Sequence, residues 1–451
     1  MPSTALFTLS AFAAIVAIAV WLPMRRTATL LEGSRRVKNF GMDNCRRVSG
    51  PSFCDDVQFD NNLQLGFLAC DPSLRYRNYA VNVFNQSKVS ESGALWIYDL
   101  NKPESPAEEL ALQGFDGPFH PSGLSIAPTT ENSTSARTVL LVVNRVPFEM
   151  PRIEVLYYYP ARKNLVYKKT IRSRHFYAAH KVLASSLPFV HQTDDTPSFI
   201  VSNDHGYSIS DWKRAYEEKF NLPAATLAFY NARVNDTRVI SRRLQMPSAL
   251  VESQEPDSVW MIQAKGGSVG LYKTRMVSAR RQEQTVPSVD TNETITVAWP
   301  GWRVSKLIQT GLVNVGIDYD KASQTLVTVA HSSWNAHKDA AEELLQTDTK
   351  ERLSLSGGKG AGMIISRVKK YPVRIGQAHP QPLKDIVIDP QETPKRYRMQ
   401  YFHEPVISHD GSEFGSPSAI AFVPAESSTQ RAERVLVTGQ YERGILECIL
   451  A

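Results

Sequence analysis

From about residue 64 onward, apolar residues come in short runs separated by turn-forming residues. The runs Leu65–Ala69, Ala94–Leu100, Thr138–Asn144, Ile153–Tyr159, Leu165–Ile171, Ser198–Ser202, Thr226–Tyr230, Ser258–Gln263, Ser268–Lys273, Thr325–Ala330, Ala419–Val423 and Arg434–Thr438 are rich in Val, Ile, Leu and Tyr. Gly, Pro, Asn, Asp or Ser bounds each of them, so they read as strands. Hairpin-like pairs recur: Val139–Asn144 then Val155–Tyr159, and Val259–Gln263 then Val269–Tyr272. An all-β sandwich, barrel or propeller fits this spacing, and the chain length with the weak hairpin repeat favours a propeller. Helical signal is scarce. Ser210–Phe220 reads as a short surface helix with Ser210 as its N-cap, stopped by Asn221-Leu222-Pro223. His337–Leu345 reads as another, inside a charged insertion spanning about 338–360. A second polar insertion covers 276–297, and both insertions read as loops.

The N-terminus breaks this pattern. Ala5–Pro23 is continuously apolar and is followed by Met24-Arg25-Arg26. A run of about 18 residues exceeds a secretory h-region and just reaches a bilayer span. Residues 1–24 therefore read as a signal-anchor, with a cleaved signal peptide as the alternative, and 25–43 as a juxtamembrane linker. Arg25, Arg26, Arg35, Arg36 and Lys38 all follow the apolar run, which by the positive-inside rule would keep that side cytoplasmic. Four sequons point the other way: Asn85-Gln-Ser87, Asn132-Ser-Thr134, Asn235-Asp-Thr237 and Asn292-Glu-Thr294, glycosylation acceptors of a luminal or secreted chain. Cys45, Cys54, Cys70 and Cys448 are too dispersed for a zinc site and suit two disulfides. A Cys45–Cys448 bond would tie the last blade to the first, closing a loop of about 400 residues; Cys54 and Cys70 flank one turn-and-strand unit and could pair locally. The formal charge of +6, from 51 basic and 45 acidic residues, is spread along the sequence. No basic stripe interleaves with aromatics, which argues against nucleic-acid binding.

Several segments, in order, carry a family resemblance: Asn44-Cys45, Cys54-Asp55-Asp56, Leu68-Ala69-Cys70-Asp71, Phe119-His120-Pro121-Ser122-Gly123-Leu124-Ser125, Leu140–Asn144, Lys169-Thr170-Ile171-Arg172, Ser202-Asn203-Asp204-His205, Leu326–His331, Gly415-Ser416 and Glu447-Cys448. Together they resemble the serum paraoxonase/arylesterase family. The resemblance implies one six-bladed β-propeller over 44–451, closed by Cys45–Cys448, with a hydrophobic N-terminal anchor helix. It also implies calcium-dependent hydrolysis of lactones and aryl esters, with calcium in a central tunnel polarising the carbonyl, a second, structural calcium held by hard oxygen ligands, and a histidine pair activating water.

Carried over residue by residue, this chemistry is incomplete. Asp55 and Asp56 match the family's acidic pair. The expected Asn-Asp pair reads His180-Lys181, an expected Asn reads Ser248, and an expected Asp-Asn pair reads Val315-Gly316, with Asn314 and Asp318 nearby. The first family histidine is Ser122, with His120 displaced by two, and the second is Arg145. What survives is Asp55, Asp56, Asn203-Asp204-His205 and His331. Asp55, Asp56 and Asn203 are the remaining candidate calcium ligands. Lys181 or Arg145 could instead pair with Asp55 and Asp56, a salt bridge in place of the metal, since a buried carboxylate needs a partner. Candidate catalytic groups are His120, Ser122, Asp204, His205 and His331, although no Gly-x-Ser-x-Gly elbow surrounds Ser122. Each has a plainer reading: Asp55-Asp56 as strand caps, Asn203-Asp204 as turn chemistry, His331 as core. His403 and His409 read as surface residues in a polar loop, and Tyr157–Tyr159 as packing. The functional expectation is a paraoxonase-like hydrolase acting on a small molecule in the tunnel. The alternatives are a non-catalytic luminal propeller, or an enzyme using the tunnel for another reaction such as lactone isomerisation.

Overall fold

The computed structural model describes residues 37–80, 83–85, 92–127, 137–185, 195–255, 257–275, 284–287, 294–297, 299–346, 362–374, 397–425 and 432–450. These residues form six blades around a central axis, each a four-stranded antiparallel sheet running outward in chain order except in blade 6, whose outermost strand comes from the start of the described chain. The innermost strands are Cys54–Asp60, Pro121–Ile126, Ala179–Ala184, Pro247–Glu252, Val313–Asp320 and Pro417–Val423 for blades 1 to 6. Each packs against the innermost strand of the next blade, and the sixth meets the first. In blade 2 a short extra strand, Ala111–Gln113, adds in parallel to the outer strand Asn164–Ile171.

The second strand of each blade explains the apolar runs. In Thr138–Asn144, Leu141 and Val143 join the cluster shared with blade 3, with Phe176, Phe199 and Val201. Leu140 and Val142 join the cluster shared with blade 1, with Phe67 and Leu95. Both faces are buried, so the strand is apolar at successive positions instead of alternating. Each fully buried Val or Leu contributes about 1.5–3 kcal/mol. Equivalent clusters fill the remaining blade interfaces.

Ring closure uses the two ends of the described chain. Cys45–Ser52 is the outermost strand of blade 6, paired antiparallel with Arg443–Ile449 so that Cys45 lies opposite Cys448. A disulfide joins these two cysteines across 403 residues. A second disulfide joins Cys54 to Cys70, across the first two strands of blade 1. With no free cysteine, this pattern matches an oxidising compartment.

Every innermost strand carries a register shift near its start. The extra residue is Asp55 in blade 1, His180 in blade 3, Ser248 in blade 4, Val315 in blade 5 and Ser418 in blade 6; in blade 2, Ser122-Gly123 opposes Val143 alone. Such β-bulges kink a strand and re-aim a side chain. Two glycines let neighbouring bulges approach. A Cβ on Gly123 would stand 2.4 Å from the His180 carbonyl oxygen and 2.8 Å from Lys181 Cα, and one on Gly316 would stand 2.7 Å from Ala419 Cα.

Several expectations change. The helix begins at Lys213, with Trp212 as N-cap and Asp211, not Ser210, accepting the Lys213 N–H. The second helix is Trp334–Gln346. Within the 276–297 insertion, Gln284–Pro287 and Thr294–Val297 pair as a hairpin instead of remaining loop. His403 and His409 lie on the strand Tyr397–His409, and His409 is buried. The apolar segment 1–24, Asn132 and Asn292 fall outside the described residues; among the described residues no helix is long and apolar enough to cross a membrane. Asn235 is exposed in a turn, its side-chain oxygen accepting a bond from the Tyr230 hydroxyl.

Candidate functional site

The antiparallel order puts the start of each innermost strand beside the end of the second strand. One face of the propeller therefore gathers Asp55, Asp56, Ser122, His180 and Lys181 from strand starts. From second-strand ends it gathers Asp71, Arg145, Asp204, His205, His331, Gln440 and Tyr441. The connections that follow those second strands in blades 1, 3 and 5 add Asn78 and Tyr79, the helix Lys213–Phe220, and the helix Trp334–Gln346.

At the axis, Lys181 Nζ donates to the Asp55 carbonyl oxygen at 2.7 Å and lies 3.2 Å from Asp56 Oδ1. Asp56 also accepts the backbone N–H of Val57 and, across the blade interface, that of Leu124 at 2.8 Å. Burial pushes the Asp56 carboxyl up even so, the Lys181 charge opposing it. Asp55 accepts from Gln440 Nε2 at 2.7 Å, and His180 Nε2 lies 3.4 Å from its other oxygen. Burial would raise Asp55, but Lys181, His180 and Gln440 outweigh it and hold this carboxyl far below the usual range. The other ring nitrogen of His180, Nδ1, is buried without a partner.

Beside this pair stand groups the sequence did not single out. Asn78 Nδ2 approaches Gln440 Oε1 and His337 Nε2, each at 3.2 Å, and the Tyr441 hydroxyl. The Ala80 N–H on Asn78 Oδ1 fixes that amide's orientation. His337 stacks on His331, ring centroids 4.2 Å apart, and on Tyr441 at 5.5 Å. Burial lowers both histidines, His337 to about 4 and His331 well below its ordinary value, so both are neutral at pH 7.

A second polar cluster lies at the blade 2–blade 3 side. Arg145 does not reach Asp55 or Asp56; it pairs with Asp204 at 2.9 Å and lies 3.8 Å over the Tyr79 ring. Asp204 also meets His205 Nδ1 at 2.7 Å, and His205 Nε2 meets Glu218, which pairs with Lys265. Burial opposes ionisation of Asp204, but Arg145, His205 and Arg214 hold it well below the carboxylate range. A cavity of about 130 Å³ adjoins, lined by Tyr79, Arg145, Phe148, Tyr177 and Arg214 among others. Asn203 lies apart from the axial carboxylates: its amide donates to the His175 carbonyl and Thr226 Oγ1, and its oxygen accepts the Ala178 N–H.

The remaining candidates are placed separately. His120 Nδ1 lies 3.0 Å from Asp71 Oδ2, and Asp71 is also paired with Arg77. Ser122 Oγ has only the Val143 carbonyl, at 3.5 Å. Asp318 is pushed up to about 6 by burial despite accepting the Phe422 and Tyr319 N–H groups; its bond to Phe422 joins blade 5 to blade 6. Asn314 donates to Thr310 Oγ1 and the Leu312 carbonyl.

The donor set does not make a calcium cage, which needs six to eight oxygens. At the axis an ammonium bridges the Asp56 carboxylate and the Asp55 backbone carbonyl, and the other bulge residues are Ser122-Gly123, His180, Ser248, Val315 and Ser418. Among the described residues no group of three or more His, Cys, Asp or Glu could hold a metal.

Fold and site together define a six-bladed propeller with a buried polar constellation at one end of its axis. The arylesterase family model matches residues 77–286 of the chain. No curated protein sequence matches the chain. Among solved structures it is similar to a luciferin-regenerating enzyme (9% identity, TM-score 0.40, covering 90% of this chain and 95% of that one). It is also similar to a putative glucose dehydrogenase from Thermus thermophilus (10%, 0.41, 90% and 99%) and to a functionally unknown protein from Desulfotomaculum acetoxidans (9%, 0.38, 88% and 90%).

Proposed function

We propose that this arylesterase-family propeller hydrolyses a lactone or aryl ester at its axis without calcium, with His180 as the general base. The observation that carries this reading is the His180–Asp55 pair. An ionised Asp55 beside Nε2 favours the tautomer protonated there, which leaves the lone pair on the buried, unpartnered Nδ1. That is the orientation a carboxylate gives a catalytic imidazole. Lys181 and Gln440 keep Asp55 ionised and fixed. In the step, Nδ1 takes a proton from water as its oxygen bonds to the ester carbonyl carbon. The alkoxide or phenolate then leaves and recovers a proton from His180. Neutral N–H donors, His337 among them, would meet the developing oxyanion. The same base could move a proton within a bound lactone, which is the isomerisation alternative. Anchoring through residues 1–24, with the propeller in an oxidising lumen, belongs to the same proposal.

A specific observation favours a second reading, a binding propeller without chemistry. Asp55, Asp56, Asp71 and Asp204 each already face a cationic or histidine partner. The test is a panel of lactones and aryl esters assayed with calcium and with chelator, on the wild type and His180→Asn. Hydrolysis that ignores chelator and falls at least about a hundredfold in the variant supports the proposal. Hydrolysis abolished by chelator overturns it in favour of a metal enzyme, and no turnover under either condition leaves the binding reading.

A further inference from the structure

The excess of basic residues looks even along the sequence, but folding concentrates part of it. Two segments about 60 residues apart, Ile171–His175 and Asp236–Leu244, together contain Arg172, Arg174, Arg238, Arg242 and Arg243 against one acid, Asp236. The first leads into blade 3 and the second is that blade's outermost strand. Between them opens a cavity of about 570 Å³, lined by Arg174, Arg238, Arg242, His175, Thr237 and Asp236 among others. This site is distinct from the axial constellation and does not depend on the function proposed for it.

Three features make the cavity a built anion site instead of a solvated basic face. First, Arg238 is held in place: its guanidinium lies 4.2 Å over the ring of buried Trp299. Second, the single carboxylate offers little compensation. Asp236 Oδ1 accepts the Thr237 N–H at 2.8 Å, and Oδ2 reaches only Arg238, at 3.7 Å. Third, Arg174 and Arg242 are exposed and have no carboxylate partner among the described residues, yet both act on the His175 ring, which burial and these two charges hold below its ordinary pKa. Asp236, on the same space, offsets these charges at His175 only in part, so the three arginines outnumber the one acid there.

We propose that this cavity binds a phosphate or sulfate ester group, held by the guanidiniums of Arg174 and Arg242 with Arg238 behind them. A planar guanidinium offers paired N–H donors that match two oxygens of a tetrahedral oxyanion, and the volume falls in the range of small-molecule sites. A nucleic acid would need aromatic faces for its bases, and the aromatic ring here, Trp299, is buried and covered by Arg238. The ester could be a phosphorylated small molecule or a sulfated glycan. Both present the same oxyanion, so two probes separate them.

The full-length chain would be titrated calorimetrically with inorganic phosphate and, separately, with a heparin-derived hexasaccharide, at about 50 and 200 mM NaCl. Wild type is expected to bind saturably and more weakly at the higher salt. Arg174→Ala/Arg242→Ala is expected to bind at least tenfold more weakly with an unchanged melting temperature. The control Lys102→Ala/Lys163→Ala, which removes two exposed cations elsewhere, should bind as wild type does. Arg242→Gln provides a milder variant should the double one fold poorly, and it should weaken binding in the same direction. Phosphate binding lost in the variants supports a phosphorylated small molecule, and binding of the hexasaccharide alone, lost in the same variants, supports a sulfated glycan. Absence of saturable binding to either probe overturns the proposal, as does binding that the arginine substitutions leave unchanged.

Discussion

Lys181→Met removes the axial ammonium while keeping most of the side chain's volume. Lys181 and Asp56 are 3% and 4% exposed, so the change leaves Asp56 as a buried carboxylate with two backbone N–H donors and no cation. Breaking a buried pair by removing one partner costs about 3–5 kcal/mol. The Asp55 carbonyl also loses its 2.7 Å donor, a loss of about 1–3 kcal/mol if it stays unsatisfied. The two terms overlap, so the expected destabilisation at pH 7.5 is about 3–5 kcal/mol, read as a fall in the urea midpoint at unchanged slope. The deficit should depend on pH with a definite sign. Burial already pushes Asp56 up against the pull of Lys181. Without the ammonium its folded pKa rises further above the unfolded value, so the folded variant binds a proton the unfolded chain does not. Acidification therefore favours the folded variant, and the gap to wild type should narrow from pH 7.5 to pH 5. A deficit below about 1 kcal/mol, the range of an exposed pair, would refute a buried ion pair here, and so would one that stays constant with pH.

Three further outcomes follow from the same geometry. His180→Asn/Lys181→Asp restores the acid and amide that the family resemblance expects, and should produce a calcium-dependent rise in melting temperature that wild type lacks; tight stoichiometric calcium binding by wild type would contradict the salt-bridge reading. Replacing Cys45 and Cys448 by Ser should destabilise more than replacing Cys54 and Cys70, because the loops span 403 and 16 residues, worth about 6 and about 3 kcal/mol by loop entropy. His337 is depressed to about 4, below its unfolded value near 6.5, so its contribution is full above pH 6.5 and is lost as pH falls towards 4. The stability difference between wild type and His337→Phe should shift by up to about 3 kcal/mol in favour of the variant over that window, and a pH-independent difference would mean that His337 titrates normally.

Most of the strands that were legible in the sequence are buried on both faces. Thr138–Asn144 and Ser258–Gln263 have the same limits in sequence and structure, because two blade interfaces demand apolar side chains at successive positions. Most innermost strands were not legible. Cys54–Asp60, Pro121–Ile126, Ala179–Ala184, Pro247–Glu252 and Val313–Asp320 begin at a bulge, where Asp, Ser-Gly, His-Lys, Ser or Val-Gly breaks the alternation. The outer strands Asp236–Leu244 and Gly301–Gln309 are half solvent-facing and carry charge, which hid them for a different reason. The site followed the same logic. Lys181 stood out because an ammonium is anomalous where a resemblance expects a ligand. Asn78, His337, Gln440 and Tyr441 did not, since nothing in their local sequence marks residues brought together from three blades. Arg145 was recognised as an anomalous cation, but its partner, Asp204, depends on how the blade 2 and blade 3 connections meet.

The bulge ring suggests why such a site can change its chemistry without losing its frame. The register shifts are set by backbone pairing within each blade, and the close approach of blades by Gly123 and Gly316. Neither depends on which side chain occupies the bulge. Where the resemblance expects a divalent ion, Lys181 would supply a single tethered charge, and the charge balance is consistent with that: Asp55 stays ionised, while Asp56 is pushed towards neutrality by burial. A tethered ammonium cannot be removed by chelation, but it also has no open coordination position for a substrate carbonyl. Any carbonyl chemistry on this frame then requires a base and N–H donors from the protein itself. His180 occupies a bulge beside the ionised carboxylate, with its second nitrogen unpartnered. In the proposed reaction, the residue standing where the resemblance expects an amide is thus also the one that supplies the base.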